Sequence, residues 1–300
     1  MLKMKTDLLG KSWAGSSRLS GKISYPLKKG PPFMEKEKIV WNSEGLQIFG
    51  ERYLPERSPA PFPTLIICHG IPGKTKGADD PGYPALAERF CRQGFLVVIF
   101  NFRGTGMSEG NFDILGWARD LETGLDDLRR HSEVNREKVY LMGFSGGAAV
   151  SIYVAAHRKE IGGVISCASP ADFQDLFTGR GLADFLAHAR EVGIIRDPLF
   201  PPSIPGWQQA FDTVKPLHWI DQIPPRPLLL IQGSADEVVH PLDAHRLYEK
   251  VKRQADLYWI EGAGHRLRLE ERAMNKALEW LKEIAFSGQL SAISRKPFKR

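Results

Sequence analysis

The chain has 300 residues, 42% of them hydrophobic and 25% charged, with 41 Lys and Arg against 35 Asp and Glu. At roughly 150 residues per domain this length would suit two domains, although α/β folds often use it for one. The formal charge of +6 is unevenly spread: residues 1–34 are net +6, the last fourteen residues +4, and residues 35–286 are net −4. A mildly acidic body between basic ends excludes a nucleic-acid-binding body. The longest apolar runs, such as Phe95–Phe100, fall far short of the roughly 20 residues a membrane helix needs. Three cysteines, Cys68, Cys91 and Cys167, make neither a disulfide framework nor a metal-type spacing. The expectation is a soluble, cytoplasmic globular protein with no nucleic-acid partner and no membrane span.

Residues 1–34 combine Gly, Ser, Pro and Lys with no sustained apolar periodicity and break at Gly30-Pro31-Pro32. They read as a disordered basic leader, having too little apolar surface to offset the entropy of ordering. The apolar stretch of a secretory signal is missing. The segment is acid-poor and contains Ser, like a transit peptide, but carries Lys where Arg is expected. A third reading starts translation at Met34, just before the strand-like Lys38-Ile39-Val40-Trp41. Residues 35–286 form the expected body, and 287–300 a basic tail.

Within the body, Ile39–Trp41 and Leu46–Tyr53 read as a hairpin around Ser43-Glu44-Gly45. Thr64–Cys68 and Phe95–Phe100 are continuous apolar runs of the kind buried on both faces of a sheet, separated by a helix over Tyr83–Gln93. A helix over Trp117–His131 precedes a strand at Lys138–Met142, and a small-residue helix, Gly146–His157, leads to a strand at Gly163–Cys167. Further strands are expected at Leu228–Ile231 and Leu257–Ile260, with a helix at Pro241–Arg253 and a closing amphipathic helix at Leu269–Ala285. Strands alternating with helices imply a mainly parallel sheet flanked by helices. The alternation is interrupted at residues 171–225, a segment rich in Phe, Leu and Pro and too long for one crossover, which reads as a small inserted cap.

The strongest chemical signal is Gly143-Phe144-Ser145-Gly146-Gly147, which follows an apolar strand and opens a helix. This is the context of a Gly-x-Ser-x-Gly nucleophile elbow. A nucleophile on a tight strand-to-helix turn needs small residues two before and two after it, and the helix N-terminus then faces the site of a developing oxyanion. A serine hydroxyl needs a base, and the base an orienting acid. Asp236 follows the strand at 228–231, and His265 follows the strand at 257–260 in a Gly-rich loop, so Ser145, Asp236 and His265 appear in the order this arrangement requires. Glu237 is a rival acid and Asp172 a weaker one. Cys68-His69-Gly70-Ile71-Pro72-Gly73 supplies a turn in which the Ile71 N–H, with that of Gly146, would form an oxyanion hole. His69 reads as a loop brace rather than a second base.

These motifs, with Asn101-Phe102-Arg103-Gly104-Thr105-Gly106-Met107-Ser108-Glu109-Gly110, resemble the α/β-hydrolase superfamily over about Trp41–Leu281. The Arg-Gly-x-Gly-x-Ser turn looks like that of its esterase, lipase and acyl-peptidase-like branches, where it braces the loop beneath the site, so Arg103 and Ser108 are expected to be structural. The resemblance implies Ser145 as nucleophile, Asp236 as orienting acid and His265 as base. The elbow and small cap look most like the carboxylesterase, cinnamoyl-esterase and dipeptidyl-peptidase-like families. Relatives with an Asp nucleophile (haloalkane dehalogenases, epoxide hydrolases) or a Cys one (dienelactone hydrolases) are set aside by Ser145.

The implied function is hydrolysis of a small-molecule carboxylic ester with an apolar acyl portion, through an acyl-enzyme on Ser145. An aminopeptidase-like or acyl-peptidase hydrolase, or a thioesterase, would use the same machinery. A ligand-binding protein that no longer turns over is the alternative of a different class. No metal site or cofactor motif is expected, and the turn at 104–110 lacks phosphate-loop spacing. Oligomeric state is not readable from the sequence.

Overall fold

The computed structural model of the protein describes residues 34–56, 59–73, 80–177 and 181–293, the last six as helix backbone. The expected leader up to residue 33, and residues 294–300 of the expected tail, lie outside the described residues.

In chain order the strands are β1 (Met34–Ser43), β2 (Leu46–Pro55), β3 (Phe62–Cys68), β4 (Leu96–Phe100), β5 (Val134–Phe144), β6 (Ile161–Cys167), β7 (Leu228–Gly233) and β8 (Asp256–Ile260). They form one sheet in the order β1-β2-β4-β3-β5-β6-β7-β8. The β1–β2 and β2–β4 pairs are antiparallel and all the others parallel. Glu44 and Gly45 close the hairpin with φ of 53° and 87°, the paired positive angles of a tight turn whose twist matches its strands. Met34 already belongs to β1, because its strand pairs residue by residue with β2 as far as Pro55. The leader boundary expected after residue 34 therefore moves back by one.

The continuous apolar runs lie in the middle of the sheet, covered on both faces. Along β3, Ile66 and Cys68 join one buried layer and Leu65 and Ile67 the other. The first layer is built with α2 (Ile114–Leu128), α3 (Gly146–His157) and α7 (Leu242–Lys250), the second with α1 (Gly82–Cys91) and α8 (Glu271–Ile293). The last helix runs beyond the expected body boundary at residue 286. One glycine, Gly288, costs a helix only about 1 kcal/mol and does not stop it.

Between β6 and β7 lie the helices α4 (Gly181–Glu191), α5 (Ile204–Val214) and α6 (Pro216–Trp219). Phe173, Ile194, Ile195, Trp207 and Phe211 from this insertion join the buried cluster that holds Trp117 of α2 and Ile152 of α3. Phe112 makes ring contacts with Phe185, Trp207 and Phe211. The Arg196 guanidinium donates to the carbonyls of Gly104, Gly106 and Ser108, fastening the insertion to the loop after β4. Past the far end of α3, Arg226 donates to the carbonyl of Ala155 in the last turn, which the helix end leaves without an intrahelical partner, and to those of the C-cap Arg158 and of Ile161 at the start of β6.

Candidate active site

β5 ends at Phe144 and α3 begins at Gly146, so Ser145 alone turns the chain. It does so at φ 53° and ψ −124°, a strained conformation for a residue with a side chain. The backbone holds it there: the Ser145 N–H donates to the Cys167 carbonyl at 2.9 Å, and the Ser145 carbonyl accepts from the Ala148 N–H at 2.9 Å. The need for small neighbours is visible as close backbone crossings. A Cβ on Gly143 would stand 2.4 Å from Ala148 Cα, and one on Gly147 would stand 2.2 Å from the His69 carbonyl oxygen.

The loop after β3 passes beside this turn. The Ile71 amide nitrogen lies 3.9 Å from where a Cβ on Gly146 would be, and neither the Ile71 nor the Gly146 N–H donates a hydrogen bond among the described residues. His69 fixes the loop. Its Nε2 accepts from the Phe102 N–H at 3.2 Å, so the proton sits on Nδ1, which donates to the Gly70 carbonyl at 2.8 Å. Burial pushes this imidazole down to about 4, against the pull of the Gly70 carbonyl, and keeps it neutral. A trans peptide points its C=O and N–H in opposite directions. With the Gly70 carbonyl held by His69, the Ile71 N–H of the same peptide turns the other way.

Lateral hydrogen bonds align the strand ends. Ala168 N–H donates to the Ile231 carbonyl, Ser234 N–H to that of Ile260, and Ala235 N–H to that of Ala263. The structure thereby brings together Asp236, in the loop after β7, and His265, in the loop after β8. His265 Nδ1 lies 3.0 and 2.9 Å from the two carboxylate oxygens. Since a carboxylate only accepts, Nδ1 carries the proton and Nε2 is left as the basic nitrogen. Asp236 also accepts from the Val238 and Val239 N–H groups, each at 2.9 Å, on Oδ1. Burial alone would raise its pKa. The His265 hydrogen bond and the two amides outweigh that and hold the carboxyl below its usual range.

Neither rival acid touches His265. Glu237 is exposed, and Asp172 pairs with Arg246, which also binds Asp243. Arg103 and Ser108 are framework residues. Arg103 pairs with the fully buried Asp120, and Ser108 Oγ donates to the Asn101 carbonyl while accepting from the Phe49 N–H.

Three contacts at the site escape a sequence reading. Gln232 Nε2 donates to Asp236 Oδ2 at 2.9 Å. His188 of α4 reaches the Pro72 carbonyl from Nε2 at 3.0 Å. Arg268, three residues after His265, lies over the Tyr83 ring at 4.7 Å and pairs with Asp80. Only Gln232 left a trace in the sequence, as the polar residue ending the apolar run Leu228–Ile231.

Among the described residues, no three or more His, Cys, Asp or Glu side chains are grouped to hold a metal ion, and no helix is long and apolar enough to cross a membrane.

Residues 59–194 match the family described as serine aminopeptidase, S33. The protein named uncharacterized peptidase YtmA, from Bacillus subtilis, is 26% identical over 251 residues, covering 81% of this chain and 92% of its own. Among solved structures, the α/β hydrolase GrgF from Penicillium superposes with a TM-score of 0.65 at 19% identity, covering 84% of this chain and 99% of its own. Est1E from Butyrivibrio proteoclasticus, solved with ferulic acid bound, does so with a TM-score of 0.60 at 19% identity, covering 86% and 100%. With the eight-stranded, mainly parallel sheet and its flanking helices, these likenesses show that the chain has the α/β-hydrolase fold.

Proposed function

We propose that the protein hydrolyses carboxylic esters through an acyl-enzyme on Ser145, with His265 as base and Asp236 as its orienting acid. The observation that carries this reading is the His265–Asp236 pair, 2.9 Å apart, on the loops after β8 and β7, in the same sheet whose β5 presents Ser145 at a strained turn. His265 Nε2 takes the hydroxyl proton as Ser145 Oγ bonds to the ester carbonyl carbon. The charge that develops on the carbonyl oxygen accepts from the Ile71 and Gly146 N–H groups, each such donor worth about 3 kcal/mol in the transition state. The imidazolium then protonates the departing alcohol. A water, deprotonated by the same nitrogen, releases the acid and restores Ser145.

An ester with an apolar acyl part is favoured by the ferulic acid held in Est1E, a structure similar to this chain. Three buried free cysteines support a reducing, cytoplasmic setting. A peptidase reading is favoured by the name of the matching family.

A fluorophosphonate probe and a chain-length series of p-nitrophenyl esters, run beside aminoacyl anilides and acyl-CoA thioesters, test the proposal. Probe labelling and ester turnover should both vanish in Ser145→Ala, and esters should be turned over fastest. An active Ser145→Ala enzyme sinks the nucleophile assignment, and faster anilide cleavage hands the site to peptides. Asp236→Asn should lose about 10⁴-fold in kcat, because the imidazole would favour the wrong tautomer, whereas Glu237→Gln and Asp172→Asn should stay near wild type.

A further inference from the structure

Asp236 is anchored unequally. Its Oδ1 accepts from two backbone amides, which fix that oxygen to the loop. Oδ2 has no backbone donor among the described residues, only His265 and the side chain of Gln232. Rotation about the Cβ–Cγ bond swings both oxygens together, so a donor on Oδ2 adds a second restraint to the one the two amides place on Oδ1.

Gln232 is an unexpected residue at its position. On β7, Leu228 and Leu230 face one buried layer and Leu229 and Ile231 the other, so alternation places Gln232 on the Leu228 side, where an aliphatic residue would pack. It is 0% exposed. Its Nε2 meets Asp236 Oδ2 at 2.9 Å and the carbonyls of Gly233 and Val239 at 3.4 Å, while its Oε1 is buried with no hydrogen-bond partner among the described residues. The amide orientation is forced, since a flipped amide would set Oε1 against a carboxylate. A buried polar atom left unsatisfied costs about 1–3 kcal/mol, and a shape-matched apolar side chain would avoid that cost. What the amide gives in return is a charge-assisted hydrogen bond to the one oxygen of Asp236 that the backbone does not hold.

We propose that Gln232 is a positioning residue for the hydrolytic reaction, locking the Asp236 carboxylate against rotation so that Oδ2 stays aimed at His265 Nδ1. This inference rests on Asp236 being the orienting acid.

The test is Gln232→Met, which keeps the shape and removes both the donor and the orphaned oxygen. Measured with a p-nitrophenyl ester, kcat should fall about tenfold, the scale of one charge-assisted hydrogen bond, with KM within twofold. The urea midpoint should equal or exceed that of the parent. In the Asp236→Asn background the same change should cost no further activity. A Gln232→Met enzyme with kcat within twofold of wild type, or one that fails to fold, overturns the proposal, as does a full additional loss in the Asp236→Asn background. If Asp236→Asn itself turns over at the parent rate, the orienting-acid reading falls and takes this one with it. If Asp236→Asn is crippled while Gln232→Met is not, only the role of Gln232 is lost.

Discussion

The imidazole of His69 holds the carbonyl of Gly70 at 2.8 Å, and that carbonyl shares its peptide plane with the N–H of Ile71. A side chain turned away from the candidate site thus sets the direction of a donor that the proposed mechanism uses. The Phe102 amide fixes the ring's tautomer from behind, so the loops after β3 and β4 converge on one peptide group. His69→Leu keeps most of the packing against Phe102 and Trp117 but frees this peptide to rotate. Loss of one oxyanion donor typically lowers kcat by 10²–10³, and a drop of about 10²-fold with little change in KM is expected. Steady-state kinetics on a p-nitrophenyl ester decide it, and a change confined to KM would assign His69 to substrate binding instead.

The same ring makes the fold sensitive to acid. Its folded pKa is about 4 against 6.5 for the free side chain. Between those values the unfolded chain takes up a proton that the folded one refuses, so stability falls as pH falls through that window. The contribution is complete above pH 6.5 and gone below about 4, and its full size is roughly 3 kcal/mol. Urea midpoints for the parent and His69→Gln should converge as pH is lowered from 7 to 4.5. Parallel curves would mean that the imidazole titrates alike in both states.

The glycines of the elbow differ in what surrounds them. Gly147 lies against backbone on two sides, with a Cβ falling 2.2 Å from the His69 carbonyl oxygen and 2.5 Å from that of Cys68. Gly146 meets the Ile71 side chain at 3.2 Å, which can give, and the Ile71 backbone nitrogen only at 3.9 Å. Gly147→Ala should therefore cost about 3 kcal/mol or more by overpacking and distort the turn, whereas Gly146→Ala should fold with a loss near 1 kcal/mol. Denaturant melts of the two variants separate them, and equal midpoints would contradict the crossing geometry.

Arg103 offers a test of a framework residue inside a conspicuous motif. Its guanidinium binds Asp120 and Glu44, its own N–H donates to Asp120, and its carbonyl accepts from the Trp117 indole. Removing one member of such a buried pair typically costs 3–5 kcal/mol, because the other is left charged and unpaired. Arg103→Met should lower stability by about that much while the folded fraction keeps its KM. A raised KM at unchanged stability would move Arg103 to the substrate.

Much of the architecture was legible because parallel strands buried on both faces write themselves as uninterrupted apolar runs, as Leu65–Cys68 and Leu228–Ile231 do. The turn at Ser145 was legible because its sterics demand glycine at 143 and 147. The start of α2 was not: the periodic pattern points to Trp117, but the helix begins at Ile114, capped by the Asp113 side chain on the Leu115 N–H. Within the insertion, prolines at 198, 201, 202, 205 and 216 break up the pattern, and the aromatic residues of its helices are set by contact with Phe112 (α4 and α5) and with Tyr153 and His157 (α6) rather than by a local period. At the site, order along the chain brought out Asp236 and His265. The contacts of His188 with Pro72 and of Arg268 with Tyr83 and Asp80 join residues 116, 185 and 188 positions apart, and no local pattern announces such pairs.

Arg226 gives α3 an electrical asymmetry. A helix of this length carries a partial positive charge where it begins, beside Ser145, and an equal negative one about 18 Å away, where it ends. At that end the Arg226 guanidinium donates to the carbonyls of Ala155, in the last turn, and of the C-cap Arg158, so the negative pole is countered while the positive one is left standing. Ser145 therefore sits at the start of a helix whose far pole is countered, and the residue responsible is Arg226, which lies at the opposite end.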